Sequence, residues 1–303
     1  MVVKSTVPPS TLANKVVPLL KEHKLSSGQN IGLAANPEFL REGFAWEDFI
    51  DPDRIVIGSN DEHVHEILKD LYKPFQAPIV TVNLNTAEFI KYLSNTLLSN
   101  LISFSNDMSM IAHSIGNIDI IKSFKTVHND KRWFGEPAGM TSYVYPGCGF
   151  GGYCLPKDTQ ALYTTAREHQ YRSKLLESVL EINNYIGKFL TDQLKPSVSI
   201  DSKISLLGLS FKANSDDVRQ SPSATIIDLL LNAGYKNLMA YDPMATNNFK
   251  KEYSYDIDYS SSLEEAVKYA DAIILLTTWK EFLEKKDLLS EKLVFDFRYY
   301  LEK

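Results

Sequence analysis

Ile204-Ser205-Leu206-Leu207-Gly208-Leu209, then Pro222 to Asn232, then Leu238-Met239-Ala240-Tyr241, read as strand, helix and strand. The two apolar runs are short enough for buried strands. The segment between them has Pro at its start and Gly234 just past its end, the usual asymmetry of a helix. Ala272 to Leu276 and Leu293-Val294-Phe295 add further strands. Residues 196–303 are therefore predicted to form a compact α/β domain with a parallel sheet. In such a sheet ligands lie off the carboxyl ends of the strands.

The same alternation appears in residues 1–83. Val2 to Thr6, Ile31 to Ala35, Arg54 to Gly58 and Ile79 to Val82 read as strands. Leu12 to His23 and His63 to Tyr72 read as helices. The region resembles half of a nucleotide-binding fold, because no opening strand with a phosphate loop is present. Residues 84–195 are helical instead. Asn85 with Glu88 three residues on is a capping-box pattern. The following helix reaches Gly116, with apolar residues on more than one face, which predicts burial on several sides. Shorter helices are predicted near Asp119 to Phe124, Thr159 to His169 and Arg172 to Leu194. A helical middle of this kind suits a subunit interface.

The composition narrows the functional classes. A 303-residue chain that is 44% hydrophobic can bury two or three cores. Its net charge of −6 argues against a nucleic-acid partner. No apolar run is long enough to span a membrane, and the N-terminus is not patterned as a signal peptide. The six histidines show no ligand spacing, so no metal is predicted. Cys148 and Cys154 are too few for a disulfide scaffold and point to a thiol in a reducing cytoplasm.

The chemistry concentrates in Pro146 to Asp158, a glycine-rich stretch ending Cys154-Leu155-Pro156-Lys157-Asp158. If a helix begins there, Cys154 sits at its positive end with Lys157 near, and both favour the thiolate. Asp158 follows one turn later, where a carboxylate can activate water beside a nucleophile. The pattern alone is equally compatible with a glycine-rich turn around a buried cysteine. Lys91 and Asn95 share a helix face and suit an acid and an oxyanion donor, or simply a solvated face. Glu38 and Glu42 directly follow a strand, as ligand contacts or as an ordinary polar loop do. Lys212, Arg219 and Arg298 follow strands and suit an anionic ligand, though each alone reads as surface charge.

Taken in order, these segments resemble the UDP-glucose/GDP-mannose dehydrogenases. The matching stretches include Lys4 to Pro8, Pro37 to Gly43, Arg54 to Gly58, Ala87 to Tyr92 and Gly149 to Thr159. They continue with Gly208 to Lys212, Asp216 to Arg219, Tyr241-Asp242-Pro243 and Leu275 to Trp279. The resemblance covers nearly the whole chain. It implies oxidation of a sugar C6 alcohol to a carboxylate with NAD, UDP-glucose or a related UDP-sugar being the substrate, and a place in polysaccharide biosynthesis. It further implies a catalytic group of Cys154, Lys91, Asn95, Asp158, Glu38 and Thr6. Cys154 would carry a thiohemiacetal and then a thioester. Lys91 and Asn95 would stabilise the oxyanion, and Asp158, Glu38 and Thr6 would assist hydrolysis. Phe39, Leu40, Glu42, Tyr143, Gly151, Phe211, Lys212 and Arg298 match substrate-holding positions. Lys157 and Arg219 match positions that contact NAD. The family fold implies a Rossmann-like NAD-binding region over 1–83, a helical dimerisation and catalytic region over 84–195, and a UDP-sugar-binding domain over 196–303, in a homodimer.

The chain departs from the family pattern in three places. Residues 1–83 hold no G-x-G-x-x-G loop after an opening strand, so the chain reads as starting at a late strand of the NAD-binding domain. An insert around Lys131 to Met140 lies before Tyr143 and affects the match of Arg132 to an arginine that reaches a neighbouring subunit. Cys148 stands where many members have proline and reads as a spectator. Two alternatives follow: a GDP-mannose 6-dehydrogenase, or a silent, dimer-forming nucleotide-sugar-binding fragment.

Overall fold

A computed structural model describes residues 1–22, 31–41 and 43–301, in two compact units, Met1–Ser105 and Asn106–Lys303. The predicted α/β class with a helical middle is what the protein adopts.

The first unit holds four strands in spatial order β1 (Val2–Val3), β2 (Ala34–Ala35), β3 (Ile55–Gly58) and β4 (Ile79–Val82). β1 runs parallel to β2 and β3 parallel to β4, whereas β2 and β3 are antiparallel. β1 is shorter than the sequence suggests: Lys4 leaves the ladder, and its ammonium donates to Asn36 Oδ1 at 2.7 Å. One face of the sheet packs on Leu12, Leu84 and Ala87, and the other on Leu68 of helix Glu62–Tyr72. Leu12–Val16 forms a π-helical turn that continues as helix Val17–Glu22; His23, the predicted end, lies outside the described residues. Gly58 lets the long helix approach, because a Cβ there would stand 2.4 Å from the Ala87 Cβ.

That long helix is Leu84–Ile115, 32 residues. Its start corrects the capping-box expectation. Asn83 Oδ1, not Asn85, accepts the Thr86 N–H at 2.8 Å. Glu88 is thereby left for another task. Its Oε2 accepts the Ser10 N–H at 2.6 Å and its Oε1 the Leu12 N–H at 2.9 Å.

In the second unit, Ile111, Ala166 and Leu176 form a core among helices Leu84–Ile115, Cys154–Glu168 and Lys174–Asp192. Asp107, buried in the long helix, accepts from Tyr171 Oη at 2.6 Å and from the Ser173 hydroxyl, which also caps the last of these helices. A five-stranded sheet follows: β5 (Ile204–Leu207), β6 (Leu238–Tyr241), β7 (Asp258–Tyr259), β8 (Ala272–Leu275) and β9 (Leu293–Asp296). Its order is β7-β6-β5-β8-β9 and every pair is parallel. The chain steps to one side of β5 and later returns to the other. The carboxyl ends of β5 and β8 therefore flank a switch point, where ligands of such sheets bind. The two-residue β7 escapes the sequence reading because so short a strand carries no periodicity.

Candidate functional site

The expected site residues fall on both units. In the first, Lys91 is 7% exposed, and its Nζ lies 3.3 Å from Glu38 Oε1. A buried ammonium needs a counter-charge, and Glu38 supplies it. Two cations lie near the Phe39 ring, Arg54 at 4.2 Å and Lys91 at 5.3 Å from its centroid. A small cleft is lined by Ser5, Thr6, Pro37, Glu88 and Lys91, among others. Thr6, Glu38, Phe39 and Lys91 are thus gathered at the carboxyl ends of β1 and β2. Asn95, one turn beyond Lys91 on the same helix, is exposed where Lys91 is buried.

Leu40 continues the Glu38 turn, its N–H donating to Glu38 Oε2 at 2.7 Å. Arg41 closes the segment. Its guanidinium meets Asp48 at 2.6 Å, and its backbone N–H donates to Asp48 Oδ2 at 2.7 Å. These bonds hold the Asp48 carboxyl below its ordinary range. Behind the segment lies a cavity of about 130 Å³ lined by Lys4, Asn36, Glu38, Leu40, Arg54 and Tyr72, among others. Glu42 lies outside the described residues.

In the second unit the two cysteines part. Cys148 is buried, its Sγ 3.6 Å from the Phe297 carbonyl, and burial pushes its thiol up to about 12. Cys154 is exposed and is the first residue of helix Cys154–Glu168. The glycine stretch that places it is pinned at several points. Asn183 accepts the Phe150 N–H at 2.7 Å and donates back to the Phe150 carbonyl at 3.1 Å. Gly152 N–H donates to the Arg219 carbonyl at 3.0 Å. A Cβ on Gly151 would stand 2.2 Å from the Gln220 carbonyl oxygen. Such an approach is open only to glycine, so the loop lies directly on the connection that follows β5.

Cations surround this helix start. Arg219 lies 4.8 Å from the Tyr153 ring centroid and Lys157 lies 5.4 Å from it. Arg219 is tied to Asp217 at 2.7 Å and Lys157 to its neighbour Asp158. Those hydrogen bonds chiefly, with smaller contributions from Tyr153 and Cys154, raise both cations' pKa values. Phe211 packs against Gly152, and Lys212 Nζ lies 5.3 Å from the Phe211 ring centroid. Arg298 lies against Gly147, and its Nε is buried without a hydrogen-bond partner within the described residues. Tyr143 instead pairs with Arg132, whose guanidinium sits 5.5 Å from its ring. Arg132 also holds the Asp130 carboxyl down to about 2.

Asp242 is a residue to which the sequence reading gave no role. It is 4% exposed and directly follows β6. Its Oδ2 accepts from Leu209 N–H at 2.8 Å, from Ser210 and from Trp279 Nε1 at 3.1 Å. Its Oδ1 accepts from Met244 and Ala245 N–H at 2.8 and 2.7 Å. One carboxylate therefore ties together the loops after β5, β6 and β8. An acid directly after a strand was the available signal. Asn183 and Glu88 gave none, because their partners are remote in sequence.

Residues 1–76 match the NAD binding domain of the UDP-glucose/GDP-mannose dehydrogenase family, 85–185 its central domain and 205–303 its UDP binding domain. This chain belongs to that family. It is 35% identical to the UDP-glucose 6-dehydrogenase of Haloferax volcanii, the match covering 98% of this chain and 70% of that one. It is 40% identical to a UDP-glucose 6-dehydrogenase of Bacillus subtilis, covering 98% and 67%. Its fold superposes on a ternary complex of GDP-mannose dehydrogenase from Pseudomonas aeruginosa with a TM-score of 0.83 and 30% identity, over 100% of this chain and 70% of that one. As a member of the family the chain is of the NAD-dependent oxidoreductase type. No helix among the described residues is long and apolar enough to cross a membrane, and no group of three or more potential metal ligands gathers there.

Proposed function

We propose that the chain serves the NAD-dependent oxidation of a UDP-sugar, UDP-glucose, at C6 to the uronic acid. The observation that carries this is Cys154: an exposed thiol at a helix N-terminus, on a glycine loop pinned to the post-β5 connection and flanked by Lys157 and Arg219.

Bound NAD supplies the hydride acceptor. Two cations near one aromatic ring beside a helix N-terminus fit the diphosphate of such a cofactor, so Lys157 and Arg219 would hold it here. The Cys154 thiolate adds to the C6 aldehyde and holds it as a thiohemiacetal, then as a thioester after the second oxidation. Lys91 and Asn95 donate to the oxygen that carries negative charge in both additions. Asp158 orients water, with Glu38 and Thr6 assisting, and hydrolysis returns the thiol and releases the acid. Phe39, Leu40, Glu42 and Gly151 contact the sugar side. Tyr143, Phe211, Lys212 and Arg298 contact the nucleotide diphosphate, and the unpartnered Nε of Arg298 supports an anion there.

On this reading residues 1–83 belong to the cofactor domain, 84–195 to the catalytic and dimerisation region and 196–303 to the UDP-sugar domain. Exposed Leu93, Leu98, Leu101 and Ile102 on the long helix support a homodimer. The exposed thiol suits a reducing cytoplasm.

The test is NADH formation with UDP-glucose, and separately with GDP-mannose. Turnover with UDP-glucose supports the proposal, and turnover with GDP-mannose alone moves the chain to the other substrate class. One further reading is a silent nucleotide-sugar-binding protein, favoured by a UDP binding domain that carries its own five-stranded parallel sheet. Calorimetric binding of UDP without turnover supports that one.

A further inference from the structure

We propose that Glu88 is a positioning residue that fastens the Thr6-bearing turn to the Lys91-bearing helix, so that Thr6 and Lys91 face one cleft. This rests on the catalytic reading given above for those two residues.

Glu88 is 4% exposed, and each of its carboxylate oxygens takes one backbone N–H. Those donors belong to a tight turn. Thr11 N–H donates to the Pro8 carbonyl at 3.0 Å, with Pro9 and Ser10 between, and Ser10 has φ 71°. Pro followed by a residue of positive φ is the pattern of a type II turn. In such a turn the N–H of the third residue points away from the turn's own hydrogen bond, so Ser10 N–H needs an outside acceptor. Leu12 N–H is one of the unpaired donors at the start of the helical segment Leu12–Glu22. Thr11, in the cap position, makes no side-chain cap bond. Glu88 thus caps that segment from a different element, and it also fixes a serine in a left-handed backbone conformation that side-chain-bearing residues rarely adopt.

The consequence reaches the site through short covalent paths. Thr6 lies four residues before Ser10, with Pro8 and Pro9 stiffening the link. Lys91 lies three residues after Glu88 on the same helix, hence on the same face. Thr6, Glu88 and Lys91 line one cleft together with Pro37. Glu38 adds the counter-charge from the next residue. A glutamine at 88 keeps the volume but offers a single acceptor, so it can hold one N–H and must turn an NH2 toward the other.

The experiment compares the full chain with Glu88→Gln. NADH formation with UDP-glucose gives kcat, calorimetry gives the UDP-glucose Kd, and amide exchange follows Ser10 and Leu12. We expect kcat to fall about tenfold or more, since small misplacements at a catalytic centre cost that much. The Kd should stay within about twofold, because the substrate-holding side chains are elsewhere. Exchange should accelerate at Ser10 and Leu12 and remain slow in the β3 core. If Glu88→Gln alone does not fold, Ser10→Gly, which relieves the positive φ, is added to both proteins. An unchanged kcat in an active chain, or unchanged exchange at Ser10 and Leu12, overturns the proposal. A native chain without turnover counts against the catalytic reading instead, and the exchange result then decides for or against Glu88.

Discussion

Lys91 Nζ stands 3.3 Å from Glu38 Oε1 at the carboxyl end of β2, and the Lys91 side chain is otherwise almost wholly buried. The pair explains how an ammonium is tolerated beside Phe39 and Ile90. Glu38→Gln keeps the shape and removes the charge, leaving a buried cation without its partner. We expect a loss of about 1–3 kcal/mol in urea unfolding, at the low end because Glu38 is partly exposed. Equal midpoints and slopes for the two proteins would show that water, not Glu38, balances Lys91.

The two thiols should react differently. Iodoacetamide should label Cys154 in the folded chain and spare Cys148 until denaturant is added, as mass spectrometry of the peptides would show. Cys154→Ser should abolish uronic acid formation while leaving UDP binding intact. Normal acid output from that variant removes the covalent role.

Cys148 also gives a pH dependence. Its folded pKa is raised from 9.0 to about 12 by burial of the neutral thiol. The folded state therefore holds its proton where the unfolded state releases it. The stabilisation is fully present below pH 9.0 and is lost as pH rises toward about 12. Cys148→Ala should flatten the fall of stability across that window relative to the native chain, measured by unfolding at a series of pH values. Parallel curves would show that Cys148 contributes nothing to the loss.

How much of this was legible in the sequence varies by element. The strands β5, β6 and β8 and helix Pro222–Asn232 were legible because a buried parallel strand is a bare apolar run and Pro and Gly mark the helix ends. Cys154 was legible because glycines, a proline and a cation cluster around it. The role of Glu88 was not, since its spacing from Asn85 imitates a capping box while its partners lie 76 and 78 residues away. The antiparallel pairing of β2 and β3 was equally hidden. Register and direction come from neighbours in space, which a local pattern does not contain.

Gly151 should tolerate no side chain. A methyl group there meets the Gln220 carbonyl oxygen at 2.2 Å and Pro222 Cδ at 2.8 Å, and neither is the free end of a flexible chain. Gly151→Ala must push the glycine loop off the post-β5 connection, at a cost of about 1–3 kcal/mol. Labelling of Cys154 should change with it, because the Gly152 N–H bond to Arg219 goes too. A variant with native stability and native labelling rate would mean that the loop has room the structure does not show.

Asp242 sets the shape of the ligand edge of the second sheet, and Asp242→Asn tests this. The carboxylate accepts from the loops after β5 and β8 on one oxygen and from its own loop on the other. An amide can accept on one oxygen only, so one group of donors loses its partner and meets an NH2. Hydrogen bonds to a charged group contribute about 1.5–3 kcal/mol each, and part of that should be lost in unfolding measurements. The second expected effect is weaker UDP binding. Lys212 hangs from the loop after β5, and Arg298 follows β9, which is paired to β8. Loosening Ser210 and Trp279 should move Lys212 more than Arg298. Calorimetry on Asp242→Asn and Lys212→Ala, singly and combined, separates the two contributions. If Asp242 acts by placing Lys212, the double variant should bind UDP no more weakly than Lys212→Ala, and fully additive losses would assign Asp242 an effect of its own.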